Sequence, residues 1–271
     1  MQKILQQMFK KELEIFLTAV MFYTRIPTPR WVNYSPEYLN KASRYFPLMG
    51  WIVASVAFGF IAIGSSLFGA DLAIALSMMA TILITGAFHE DGFADMCDGF
   101  GGGYTKERIL EIMKDSRVGA YGVVGLIMIL LIKFLTLRVL VDLSHGFESQ
   151  LLLLLILIAA HSLSRFSAIS ILFTHQYVQA DAVSKIKPIA LSYTWKEVVG
   201  TLFFGFLPLL LIAFHSPLLS FALLPVIVAR FILSAYFNRL IGGYTGDCLG
   251  ATQQISEIVF YLSLIVLWRF I

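Results

Sequence analysis

Long apolar runs alternate with short polar segments along this chain, and the runs have the length needed to cross a lipid bilayer. Phe46 to Gly69, Val118 to Val141, Gln150 to Phe173 and Pro217 to Leu240 are each long enough to cross a hydrocarbon layer of roughly 30 Å as a helix. On an apolar window of about 20 residues the pattern predicts seven spans. They lie near 46–69, 72–88, 118–141, 150–173, 197–214, 217–240 and 255–271. The runs lack the alternation of barrel strands, and an open sheet cannot satisfy its backbone in lipid. The predicted fold is therefore all-α, a polytopic transmembrane helical bundle forming one membrane-embedded domain over 1–271. Ahead of the first span, Lys3, Lys10 and Lys11 precede a short apolar run from Leu13 to Tyr23. That order resembles a secretory signal, but Arg25-Ile26-Pro27-Thr28-Pro29-Arg30 stands where a small-residue cleavage site belongs. The segment is predicted to remain as an interfacial helix. No internal repeat, low-complexity tract or boundary of a soluble domain is visible.

Composition supports the membrane assignment. Of 271 residues 58% are hydrophobic and 14% charged, with a mean hydropathy of +0.81, whereas soluble domains are about half apolar and a quarter charged. The net charge of +3 is small, the bases sit in loops, and no nucleic-acid footprint appears. Cys97 and Cys248 each lie beside an aspartate in separate loop regions, which is neither a disulfide framework nor a zinc pattern. Loop charge then orients the spans. Arg25, Arg30, Lys41 and Arg44 precede the first span, Lys106, Arg108, Lys114 and Arg117 follow the second, and Lys185, Lys187 and Lys196 follow the fourth. The loops around Asp71, from Asp142 to Glu148 and at His215 and Ser216 carry neither Lys nor Arg. The positive-inside rule puts the N-terminus in the cytoplasm and the C-terminus outside. Two polar segments remote in sequence, His89 to Gly103 and Gly242 to Glu257, are thereby predicted to share the cytoplasmic side.

The first of these carries the strongest chemical signal. Asp91, Asp95 and Asp98 are spaced i, i+4, i+7 and fall on one stripe if the helix of the second span continues. Like charges stacked on one face repel, more so near lipid where screening is poor. A divalent ion relieves the repulsion, and hard oxygen ligands suit Mg²⁺, Mn²⁺ or Ca²⁺. A solvated acidic helix end is the plainer alternative, but carboxylates at a membrane edge are costly to place. Glu90 lies about one residue's rotation off the stripe and is a secondary metal ligand. His89 points the other way, toward either packing or proton transfer. Gly99 to Gly103 is read as a turn with exposed N–H groups, in which Gly102 is a candidate phosphate contact, although the Lys-Ser/Thr ending of a P-loop is missing. Thr105 then caps a short amphipathic helix that returns Lys114, Asp115, Ser116 and Arg117 to the headgroup level.

In the second segment Asp247, Gly250, Gln254 and Glu257 share one helix face, with the glycine leaving room for a ligand. Asp247 is a candidate to complete the metal site, or an N-cap, or both; Thr245 is a candidate substrate contact. Arg165 and Arg230 lie inside apolar spans in the half nearer the cytoplasm and need partners, which a diphosphate or an aspartate supplies unless they snorkel. Lys133 and Arg138 lie toward the outer half, where pairing or snorkelling is expected.

Several segments together resemble one family. Tyr23-Thr24-Arg25-Ile26-Pro27, Phe46-Pro47-Leu48, His89 to Asp95 with Asp98-Gly99, Leu110 to Arg117 and Gly243 to Ala251 look like cobalamin synthase, also called adenosylcobinamide-GDP ribazoletransferase, in the same order over nearly the whole chain. The resemblance implies a multi-pass enzyme of the bacterial inner membrane, dependent on Mg²⁺ and facing the cytoplasm. Such an enzyme joins adenosylcobinamide-GDP to alpha-ribazole or its phosphate and releases GMP; it needs no nucleic acid, and an oligomer is possible. Carried across, its acidic motifs map to Asp91, Asp95, Asp98 and Asp247, while the role of Glu90 stays open. Divalent metal and basic side chains suit displacement of GMP from a diphosphate. The expected metal ligands are the stripe and Asp247. Asp91, Asp95 or, less favourably, His89 is the expected proton acceptor, with Arg117, Lys114, Arg165 and Arg230 as phosphate partners. Two alternatives compete. A CDP-alcohol-type phosphotransferase also uses an aspartate-rich helix end, but Phe100-Gly101-Gly102 replaces its Ala-Arg. A cation-coupled transporter would gather its charges near the midplane on broken helices.

Overall fold

The computed structural model describes residues 2–32, 35–144, 146–178 and 193–270. Lys185 and Lys187, used above for orientation, lie outside the described residues. Helices run in the order α1 (Gln2–Tyr23), α2 (Pro36–Ala42), α3 (Phe46–Phe68), α4 (Ala70–Thr85), α5 (Phe88–Gly102), α6 (Lys106–Met113), α7 (Ala120–Asp142), α8 (Phe147–Leu172), α9 (Trp195–His215), α10 (Leu223–Ile241) and α11 (Gly246–Trp268). Among the described residues the only extended pairing is a single bridge between Tyr177 and Tyr244. Among the described residues six helical stretches are long and apolar enough to cross a membrane, and α4 with α5, bent by 89° at their junction, qualifies only as a pair.

Two boundaries differ from the sequence pattern, each for a visible reason. The second span does not run straight into the acidic segment. Gly86 and Ala87 both take positive φ, 68° and 58°, and the Gly86 cap closes α4 on the carbonyls of Ile82 and Leu83. Helix α5 therefore starts afresh across the end of the bundle, and we read it as lying outside the spans. The last span begins at Gly246, not near 255. Its early turns hold Thr252, Gln253, Gln254, Ser256 and Glu257, which lower the hydropathy but are buried against other helices. Correspondingly α8 and α11 form the inside of the bundle, with 78% and 61% of their spans buried against 28% for α7.

A polar layer crosses that interior. Lys133 Nζ of α7 pairs with Glu257 Oε1 of α11 at 2.7 Å, both buried. Gln253 Nε2 donates to Glu257 Oε2 at 2.8 Å and to Ser164 Oγ at 3.1 Å, and Arg165 donates to the His161 carbonyl at 2.9 Å. Desolvated charges are tolerated only when paired in this way. Lys133 is thus structurally paired. Arg138 instead binds Asp71 and Asp142 at the far end of the bundle. At the near end α1 docks through the buried Ile15, Ala19 and Tyr23, and Arg44 bridges Glu12 and Glu197 at 3.2 Å each.

Candidate functional site

The site lies where α5 crosses the start of α11. The crossing is close because Gly92 has no side chain: a Cβ there would stand 2.9 Å from the Asp247 Cα and 3.2 Å from its carbonyl oxygen. Small residues allow such backbone approach between helices. On one side of the crossing Asp91 is exposed and Asp95 half-buried, and Asp247 is half-buried opposite them. Burial first, then the charges of Asp247, Asp91 and Asp98, push the Asp95 carboxyl up to about 7. Thr245 caps α11, accepting from Cys248 N at 3.3 Å, and its hydroxyl donates to Asp247 Oδ2 at 3.3 Å. The N-cap of α11 is therefore Thr245 and not Asp247, which lies in the first turn and in the field of Asp91. A strap from the end of α8 closes this side: Val178 N donates to Tyr244 O at 2.8 Å and Tyr244 N to Gln176 O at 3.0 Å. Tyr177 lies in the field of Asp247. Sequence reasoning missed that strap, because no periodic or charged signal marks it.

Three expected members of the acidic site are engaged elsewhere. Asp98 is buried, and its two oxygens accept the N–H groups of Gly119 at 2.6 Å and Gly122 at 2.8 Å. It anchors the start of α7, where a negative charge suits the helix N-terminus. Glu90 points into the bundle and accepts from Gln254 Nε2 at 2.9 Å, so it faces away from the Asp91 side. His89 is buried and stacks on Phe46 with centroids 5.9 Å apart, which gives it the packing role. The supposed glycine turn is also different: Gly99 to Gly102 form the last turn of α5, capped by Gly103. Gly102 is exposed there.

The basic candidates divide as well. Arg165 is 2% exposed and held against His161 and the Phe46 ring, and it feels the charges of Glu257 and Glu90. Arg230 donates to Ser170 Oγ and O at 3.0 Å each and also to Thr174 Oγ1. Neither guanidinium pairs with the aspartates; both take their hydrogen-bond partners from neighbours in the bundle. Arg117 is exposed and forks onto Asp115, whose carboxyl it holds down at about 2. Such an exposed pair contributes little to stability, and Arg117 stays available. Lys114 caps α6 at the same rim.

Among the described residues no group of three or more His, Cys, Asp or Glu side chains converges closely enough to hold a metal ion alone. That still fits Mg²⁺, which keeps several waters and is commonly held by one or two carboxylates together with substrate phosphates. Asp91, Asp95 and Asp247 offer such ligands, whereas Asp98 and Glu90 already accept hydrogen bonds from Gly119, Gly122 and Gln254.

Comparison with known proteins identifies the family. The family described as cobalamin-5-phosphate synthase matches residues 15–265. An adenosylcobinamide-GDP ribazoletransferase of Shewanella amazonensis is 49% identical over 96% of this chain and 98% of its own. Proteins of the same name from Shewanella piezotolerans and Ralstonia pickettii are 44% and 45% identical, over 96% and 93% of this chain and 98% and 92% of theirs. No solved structure matches significantly. With matches that span nearly the full length, and an acidic crossing built from the segments that carry the resemblance, the chain belongs to the cobalamin-5-phosphate synthase family.

Proposed function

We propose that this protein joins adenosylcobinamide-GDP to alpha-ribazole or its 5'-phosphate, releasing GMP, with Mg²⁺, at the cytoplasmic face of a bacterial inner membrane. The observation that carries the reading is the α5–α11 crossing at Gly92, which sets Asp91 and Asp95 beside Asp247. The name carried by the relatives, adenosylcobinamide-GDP ribazoletransferase, supports the substrate class. In the reaction a ribose hydroxyl forms a new P–O bond to the phosphorus nearer cobinamide. The bridging P–O bond breaks and GMP departs with its electron pair. The hydroxyl proton passes to whichever of Asp91 and Asp95 is not ligating metal. Asp247 and the other member of that pair would hold Mg²⁺, whose contribution when bound would be to neutralise charge on the phosphoryl oxygens. Arg117 and Lys114, delivered to the rim by α6, supply further positive charge.

The test is GMP release by protein purified in detergent. Asp91→Asn, Asp95→Asn and Asp247→Asn are each expected to lower turnover by about 100-fold or more, and chelation of Mg²⁺ to abolish it until Mg²⁺ is returned. Asp98→Asn is expected to reduce thermal stability more than turnover. Folded Asp91→Asn and Asp95→Asn proteins with near wild-type rates would overturn the reading. A transporter would use the buried charged layer as its site. However, those groups are internally paired around a cavity of only ≈ 10 Å³, about the space of one water.

A further inference from the structure

Phosphoryl transfer at this rim needs more positive charge than the expected arginines provide. Three carboxylates stand there, a diphosphate brings further negative charge, and Arg165 and Arg230 are committed inside the bundle. We propose that Arg25 is a phosphate-binding residue of the site, gripping the diphosphate of the nucleotide-linked substrate; this rests on the transferase reading above.

The backbone at Arg25 is firmly held. Thr24 Oγ1 donates to the Val20 carbonyl at 2.7 Å and accepts from Ile26 N at 3.1 Å, which turns the chain sharply at the end of α1. Arg25 N then donates to the Ile84 carbonyl at 2.7 Å, in the last turn of α4. Beside it the Phe22 and Phe88 rings meet edge to face at 6.0 Å, fixing α1 against the start of α5. Arg25 is therefore fastened to both sides of the α4–α5 break.

Its side chain lies over that break. A Cβ at Gly86 would come within 2.2 Å of Arg25 Nε and 3.1 Å of Cζ and Nη2, so glycine makes room for the guanidinium as well as supplying the positive φ. The next residue, Ala87, accepts the N–H of Asp91 at 2.9 Å. Arg25 is thereby packed over the residue that closes α4, immediately ahead of α5, whose first turn carries Asp91.

The head group is uncommitted. Arg25 is exposed, and among the described residues its guanidinium makes no ion pair, in contrast to Arg44, Arg108, Arg117 and Arg138, each of which binds a carboxylate. It thus lies at the break that opens α5 without a carboxylate partner. A guanidinium fork matches two phosphate oxygens at once. A nucleoside diphosphate ester bound through metal to Asp247 and one of Asp91 and Asp95 would present its oxygens toward that fork.

The test uses Arg25→Ala and Arg25→Lys, which alter an exposed side chain and leave the Arg25 N to Ile84 bond intact. In detergent without anionic lipid, Arg25→Ala is expected to raise KM for the diphosphate substrate by about 10- to 100-fold, as loss of a charge-assisted hydrogen bond implies. KM for the ribazole acceptor and the Mg²⁺ concentration at half-maximal rate should stay as in wild type. Calorimetric binding of the diphosphate substrate with Mg²⁺ and no acceptor should weaken by the same factor. Arg25→Lys should recover part of the loss, and added guanidinium ion should partly rescue Arg25→Ala. Unchanged binding and KM in Arg25→Ala would overturn the proposal. So would a defect confined to vesicles containing anionic phospholipid, because the residue would then be reading headgroups. Failure of the transferase reading looks different: the wild-type protein itself would release no GMP.

Discussion

Gly92 and Gly102 lie on the same helix, yet adding one methyl group to each should have opposite effects. At Gly92 the new carbon meets the backbone of Asp247 at 2.9 Å, which cannot rotate away, so α5 and α11 must separate. Overpacking of this kind costs about 1–3 kcal/mol, more than the roughly 1 kcal/mol that alanine gains over glycine in a helix. Gly92→Ala is therefore expected to lower the detergent unfolding temperature and, by parting Asp247 from Asp91 and Asp95, to reduce GMP release further than the stability loss explains. At Gly102 the same carbon would meet only Ile112 Cδ1 at 3.4 Å. Gly102→Ala should leave stability unchanged or slightly raised. Comparing unfolding temperature and turnover of the two variants checks both statements; equal behaviour would show that the crossing does not depend on Gly92.

At the scale of elements, the acidic site depends on a polar layer it does not contain. Helices α7, α8 and α11 are joined through Lys133, Glu257, Gln253 and Ser164. The chain of amides continues through Gln254 to Glu90 on α5. One end of that layer thus sets the depth and rotation of α5 against α11. Removing one member of a buried ion pair leaves an uncompensated charge, at a cost of about 3–5 kcal/mol. Lys133→Met should therefore destabilise strongly, while Lys133→Met with Glu257→Leu should cost less than the sum of the two single changes. Thermal unfolding of the three variants in detergent measures this, and strict additivity would mean that the two side chains do not interact.

For the whole molecule, the two ends of the bundle have different chemistry. One end carries Asp71, Arg138 and Asp142 in mutual ion pairs. The other carries α5, α6 and the start of α11, with Asp91, Asp247 and Arg117. Cysteines introduced at Asp71 and at Arg117 are expected to react with an impermeant maleimide from opposite faces of sealed membrane vesicles, Arg117→Cys in inside-out preparations. Labelling of both from one face would remove the proposed topology. The interior helices α8 and α11 carry the polar layer, while α7, α9 and α10 turn mostly apolar surface outward. A bundle of this kind gains little from burying apolar groups away from lipid, so packing and interhelical hydrogen bonds must hold it together.

The sequence by itself determined the helical spans, because hydrocarbon thickness and backbone hydrogen bonding leave few solutions for apolar runs of that length. Helical spacing and loop charge also led to the expectation that Asp91, Asp95, Asp98 and Asp247 share one end of the bundle. The boundary of the last span was hidden, since Gln253, Gln254 and Glu257 read as surface when hydropathy is averaged and only their partners show them buried. Only the tertiary structure decided which carboxylates face outward. Spacing puts Asp98 on the stripe, but the N–H groups of Gly119 and Gly122 claim it, and Gln254 claims Glu90. Periodicity fixes the direction in which a side chain leaves its helix, whereas the partner it finds there comes from a segment whose position no local rule specifies.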